Sequence, residues 1–207
     1  MGTYAAVVLA GGAARRMGGV DKPALPVGGR PMRDRVLAAV SDATPRVLVG
    51  AADAVPEGVR VIREDPPGGG PVAAAAAGLA LLDPDTALVA LLAADLPLLT
   101  RSAVGELLGQ VAEEGRAAGG ERRPDGACFV DGDGRRQSLC GVWRVAALRA
   151  GLGRLTVERG GSLSGAPVRA LLAGLVVREV PWSGDGPPPW FDCDTDEDVR
   201  RAEEWAR

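Results

Sequence analysis

Between Thr86 and Asp95 the chain reads TALVALLAAD, and between Ala5 and Ala10 it reads AAVVLA. Neither run alternates with polar residues. A strand that is apolar on both faces must be covered on both faces, as the central strands of a parallel sheet are. Parallel neighbours need crossover connections, usually helices, and the intervening segments supply them. Met32, Val36, Leu37 and Val40 share one face at helical spacing; Val104, Leu107, Leu108 and Val111 share another. Val72–Leu82 is an alanine-rich helix opened by Gly70 and Pro71, with proline in a favourable early position. Helices are also expected over Val168–Leu175 and Thr195–Ala206, and strands over Arg46–Gly50, Val59–Ile62 and Leu175–Val180. GACFVDGDGRRQSLCGVWRV reads as strand, tight turn, strand. This alternation predicts an α/β fold, a doubly wound and mostly parallel sheet. No long linker or internal repeat divides the chain, so residues 1–207 are expected to form a single domain.

Composition removes several function classes. The 207 residues carry a net charge of -3, without the basic excess of a nucleic-acid binder. No apolar run approaches the length of a membrane span. The apolar segment Tyr4–Ala10 has no basic residue before it, which makes a poor signal peptide. A cytoplasmic protein is expected. Cys128, Cys140 and Cys193 are odd in number and widely spaced, so zinc sites and disulfides are not expected and burial as small apolar residues is. Histidine is absent. That excludes Ser-His and Cys-His catalysis and imidazole acid–base chemistry. Catalysis must run on carboxylates, Lys, Arg and backbone amides, with an oxygen-ligated cation as an optional addition.

Ligands of an open parallel sheet sit outside the carboxyl ends of its strands. The first apolar run ends there in GGAARRMGGVDKP, Gly11 to Pro23. Glycines let backbone N–H groups approach an anion closely, and Arg15, Arg16 and Lys22 add full positive charge. The combination suits a polyphosphate. It is neither a Gly-Lys-Ser/Thr phosphate loop nor a Gly-x-Gly-x-x-Gly dinucleotide turn. Asp65 and Asp95 follow two further strands. An aspartate ending a wholly apolar strand is costly unless it meets a cation, and beside a triphosphate Mg²⁺ is the expected one. As a lone residue Asp95 would read as a turn or cap aspartate.

LAGGAARRMGGVDK is similar to the signature of the molybdenum cofactor guanylyltransferases and their relatives. VIREDPPGGGPVAAAAAGL, LLAADLPLL, QSLCGVWR and FDCDTDEDVRRAEEW resemble further segments of that family, so the likeness spans nearly the whole chain. It implies a three-layer Rossmann-like fold. It also implies transfer of GMP from GTP to the phosphate of a molybdopterin-type cofactor, with Mg²⁺ and release of pyrophosphate. By this resemblance Leu9, Ala10 and Gly11 touch the nucleotide, Gly11 and Gly12 cradle its phosphates, and Arg16 and Lys22 contact them. Asp65 stands where a nucleotide-contacting aspartate does, and Asp95 where the Mg²⁺ ligand does. Transient contact with proteins that deliver or accept the cofactor is the further partner expected; neither nucleic acid nor a membrane is. GTP is expected to outcompete CTP and ATP through backbone groups at the base edge. Cytidylyl transfer, transfer to a sugar phosphate and non-catalytic nucleotide binding are the alternatives.

Three positions depart from the family pattern. Gly50 stands where an asparagine is frequent, and Asp192 and Asp194 stand where asparagines are. Asp194 reads with even weight as a second metal carboxylate or as part of a helix cap, because Thr195 and Asp198 have capping-box spacing. Other segments read more plainly. DGDG at Asp131–Gly134 is a turn and not a calcium loop, since Arg135 stands where a third ligand should be. Arg122, Arg123, Arg135 and Arg136 are solvated charges, or else meet an anionic second substrate. RGGSLSGAP is a loop before a helix, with phosphate binding as the sharper reading. Trp182 and Trp190 flank a proline-rich loop.

Overall fold

The computed structural model describes residues 3–11, 22–52, 54–112 and 123–207. Among them, β1 (Ala5–Leu9), β4 (Arg46–Val49), β5 (Val59–Ile62), β6 (Leu88–Ala93), β7 (Gly126–Val130), β8 (Arg136–Arg144) and β9 (Val177–Pro181) form one sheet in the order β5-β4-β1-β6-β8-β7-β9. β8 runs antiparallel to both neighbours and every other pairing is parallel. The carboxyl ends of all the other strands therefore share one edge. A small hairpin of β2 (Pro26–Val27) and β3 (Arg30–Pro31) lies apart from the sheet.

Both faces are covered, as the apolar runs require. Ala6, Val8, Leu48, Ala90 and Leu92 pack against Val36 and Leu37 of α1 (Met32–Ala39) and Val104 and Leu107 of α3 (Arg101–Ala112). Ala5, Val7, Leu9, Val49 and Leu91 point the other way. They meet Val72, Ala75 and Leu79 of α2 (Pro71–Ala80) and Leu148 and Leu155 of α4 (Val145–Glu158). The two-residue period of β1 thus feeds two separate cores. Gly78 lets α2 press onto β1, where a Cβ would lie 2.4 Å from a Val7 methyl.

Besides the small hairpin, which the sequence did not signal, two helices differ from expectation. Helix α4 is not evident in the sequence, because Gly151 and Gly153 weaken its helical signal. Gly151 is needed for packing: a Cβ there would lie 2.6 Å from the Leu171 carbonyl oxygen. Helix α5 spans only Val168–Leu171 rather than reaching Leu175, since the chain turns at Gly174 with φ +80°.

The last helix, α6 (Asp196–Trp205), packs beside β2 around Val27, Met32, Cys193 and Ala202. The Gly28 N–H donates to Glu203 at 2.9 Å, and Phe191 meets Trp205 edge-on with Arg201 stacked over Trp205. These contacts bring the C-terminal segment to the same sheet edge as the start of the chain.

Candidate active site

Four strand ends are laced together at this edge. The Ala10 N–H donates to Val49 O, the Ala94 N–H to Leu9 O, and the Gly50 N–H to Ile62 O, at 2.8, 3.0 and 2.8 Å. Gly50 cannot simply be replaced by asparagine here. Its φ is +145°, and a Cβ would lie 2.9 Å from the Ala10 carbonyl carbon. The departure from the family pattern thus follows from how closely β4 passes the turn after β1.

Lys22 opens a short 3₁₀ turn, Lys22–Ala24, and its ammonium joins two distant carboxylates. Nζ lies 2.7 Å from Asp95 Oδ2 and 2.7 Å from Asp194 Oδ1. Asp95 follows β6 directly. Asp194 is held by its neighbour: Cys193 is wholly buried, and its N–H donates to the Asp95 carbonyl oxygen at 3.3 Å. Burial opposes charge on Lys22, but the hydrogen bonds to Asp194 and Asp95 outweigh it and raise its pKa. Partial desolvation and the Asp194 and Asp95 charges push the Asp192 carboxyl above its usual range.

Asp194 takes no side-chain part in the helix cap. The Thr195 hydroxyl accepts from the Asp198 N–H, while the Asp198 carboxylate accepts from the Thr195 N–H and hydroxyl, closing the capping box. The Asp194 side chain is thereby left to Lys22.

Residues 9–11 line the turn after β1, with Leu9 buried and Gly11 exposed. Asp65 is exposed and makes no side-chain hydrogen bond or ion pair among the described residues. Its neighbour Glu64 points inward instead and is only 8% exposed. Alternation beyond β5 explains the difference: Arg63 and Asp65 face out and Glu64 faces in. The sequence did not signal this: Val59 and Val61 read as the inward face, which puts Glu64 outward, yet Val61 is exposed and Glu64 buried. Gly12, Arg15, Arg16 and Arg122 lie outside the described residues.

The weaker candidates resolve locally. The Asp131 carboxylate accepts from the Asp133 and Arg135 N–H groups, a turn as expected. Arg136 pairs with Glu179 at 2.7 Å. Arg159 donates to the Ser162 and Ser164 carbonyls, so the glycine-rich loop holds itself. Trp182 and Trp190 pack on Phe129, and the Trp182 indole donates to Gly186 O across the proline-rich loop. Cys128, Cys140 and Cys193 are all buried and free.

Residues 6–176 match the family described as MobA-like NTP transferase domain. The chain belongs to this family. A molybdenum cofactor guanylyltransferase of Nitrobacter hamburgensis is 31% identical over 97% of this chain and 93% of its own. Molybdopterin-guanine dinucleotide biosynthesis protein A from Archaeoglobus fulgidus superposes with a TM-score of 0.66 at 21% identity, covering 96% of each chain. A 2-C-methyl-D-erythritol 4-phosphate cytidylyltransferase from Thermus thermophilus reaches 0.67 at 19% identity, covering 99% of this chain and 98% of its own. At these identities the two structural likenesses speak for the three-layer Rossmann-like fold. The MobA-like chain is thus a nucleotidyltransferase whose lysine and two carboxylates meet at the edge where its fold binds ligands.

Proposed function

We propose that the chain, acting as one catalytic unit over residues 1–207, transfers GMP from GTP to the phosphate of a molybdopterin-type cofactor and releases pyrophosphate. The observation that carries this reading is the meeting of Lys22, Asp95 and Asp194, in a chain related over nearly its whole length to a guanylyltransferase. An acceptor phosphate oxygen attacks the α-phosphorus; a new P–O bond forms as the bond to the β-phosphate oxygen breaks, and pyrophosphate leaves with that electron pair. The acceptor phosphate is already ionised near neutral pH, so the absence of histidine costs nothing. What remains is positioning and charge stabilisation.

Asp95 and Asp194 suit Mg²⁺. Both are hard oxygen donors, and both reach the point now held by the Lys22 ammonium. Mg²⁺ keeps phosphate and water ligands beside one or two carboxylates, so these two would be enough from the protein. When bound, the ion would neutralise charge on the phosphate oxygens. One lysine against two carboxylates leaves the trio net negative; a divalent cation makes it net positive and attractive to a triphosphate. Lys22, released from both carboxylates, would then face the leaving group. Leu9–Gly11 supply backbone groups to the nucleoside, and Gly12 and Arg16 complete the phosphate cradle.

The described helices include none long and apolar enough to cross a membrane, and the cytoplasm is the proposed place of reaction. Pyrophosphate release measured with GTP and with CTP, with and without molybdopterin, tests the reading. Release that needs molybdopterin and favours GTP is expected. Release that favours CTP moves the chain to cytidylyl transfer, and no release with either leaves only nucleotide binding.

A further inference from the structure

Glu64 is one of two buried charged side chains among the described residues, the other being Arg33. Its Oε1 accepts the Gly68 N–H at 3.0 Å. It forms no ion pair among the described residues. A Cβ placed on Gly11 would lie 3.3 Å from Oε1 and 3.5 Å from Oε2, so both oxygens face the turn after β1. An ionised carboxylate accepts about four hydrogen bonds, and a buried one is costly unless they are made. The described protein supplies one.

This acceptor lies beside the turn in which the nucleotide is proposed to sit. It cannot face a phosphate, because like charges at close range repel. The parts of a nucleoside triphosphate that suit it are those bearing N–H or O–H donors. Gly50 presents no side chain and has no room for one, so nothing from the end of β4 competes for a base edge there. Guanine carries two donors side by side, N1–H and N2–H, which match the two oxygens of a carboxylate. Adenine and cytosine place a ring acceptor next to their single amino group and would set it against the negative charge.

We propose that the Glu64 carboxylate reads the N1–H and N2–H edge of guanine and sets the preference for GTP. The proposal rests on the GTP reading above and replaces the backbone carbonyls expected from the sequence as the main source of discrimination.

Competition binding in Mg²⁺ buffer tests it, using GTP, CTP, inosine triphosphate, xanthosine triphosphate and 2′-deoxyGTP. Wild type should bind inosine triphosphate, which lacks the N2 amine, about tenfold or more weakly than GTP, the scale of one lost hydrogen bond to a charged group. In Glu64→Gln the amide nitrogen becomes a donor suited to the xanthine O2, so the order of GTP and xanthosine triphosphate should invert. Glu64→Ala should bring GTP and inosine triphosphate close to parity. The ratio of 2′-deoxyGTP to GTP should stay fixed in all three proteins. Inversion is a gain of binding that a misfolded variant cannot give. Unchanged GTP selectivity in both variants, or a loss that tracks the 2′-hydroxyl, overturns the role of Glu64 while the GTP reading stands. Wild type preferring CTP overturns the GTP reading and this assignment with it.

Discussion

Replacing Lys22 by methionine keeps an aliphatic stem and removes the cation that holds Asp95 and Asp194 together. The two ion pairs are half-open to water, with side-chain exposures of 19% for Lys22, 24% for Asp95 and 61% for Asp194. Exposed pairs of this kind are worth about 0.2–1 kcal/mol each. In the nucleotide-free protein Mg²⁺ must displace both. Removing the lysine should therefore tighten Mg²⁺ binding by about 2–30-fold, the factor that about 0.4–2 kcal/mol represents. Turnover should move the other way and fall by about 100–1,000-fold, as when a group stabilising transition-state charge is deleted. Thermal stability should change by no more than about 2 kcal/mol, the most that two such pairs contribute. The raised pKa of Lys22 keeps these readings clean. Its contribution to stability is whole below its unfolded pKa and is lost only as pH climbs through the higher folded value, well above neutrality. Calorimetric Mg²⁺ titration of the nucleotide-free protein, with pyrophosphate release as the second readout, measures both effects. Weaker or unchanged Mg²⁺ binding in Lys22→Met would show that the two carboxylates are not the metal site, and undiminished turnover would remove Lys22 from the chemistry.

Asp194→Asn should weaken Mg²⁺ binding by about 10–100-fold, the scale on which groups supporting a metal site are felt, without moving the thermal midpoint appreciably; an unchanged Mg²⁺ titration would leave Asp194 as a partner of Lys22 alone. Asp198→Ala should cost about 0.5–2 kcal/mol through loss of the cap and leave turnover intact. The Thr195 hydroxyl holds the Asp198 carboxyl below its usual pKa, so this contribution exists above the unfolded pKa and is lost as pH falls through the folded one; melts should show wild type and variant converging in acid. Burial pushes the thiol of Cys128 up to about 11 and those of Cys140 and Cys193 to about 12. A thiol reagent at pH 8 should label none of them until the protein unfolds, and one fast-reacting thiol in the folded state would contradict their reading as small apolar residues.

The sequence by itself determined what depends on near neighbours. The apolar runs at β1 and β6 dictate burial on both faces, and the helical spacing in α1 and α3 dictates which side chains bury. Thr195 and Asp198 specify a cap over three residues, and Asp131 specifies a turn over four. Where a local signal conflicted with packing, packing won: glycines at 151 and 153 hid α4, and one of them exists because α5 passes too close for a side chain. The strand pattern also ran two residues beyond β5, which turned Glu64 inward and Asp65 out to solvent. What only the tertiary structure decided is the meeting of Lys22, Asp95 and Asp194. The lysine and the second carboxylate are 172 positions apart, and nothing local favours Asp194 as a ligand over Asp194 as a cap. Their encounter follows from the order of strands, which sets the ends of β1 and β6 side by side, and from buried Cys193 and α6, which return the end of the chain to that edge. Periodicity and capping act within a few residues; the site is made by contacts whose sequence separation no local pattern encodes.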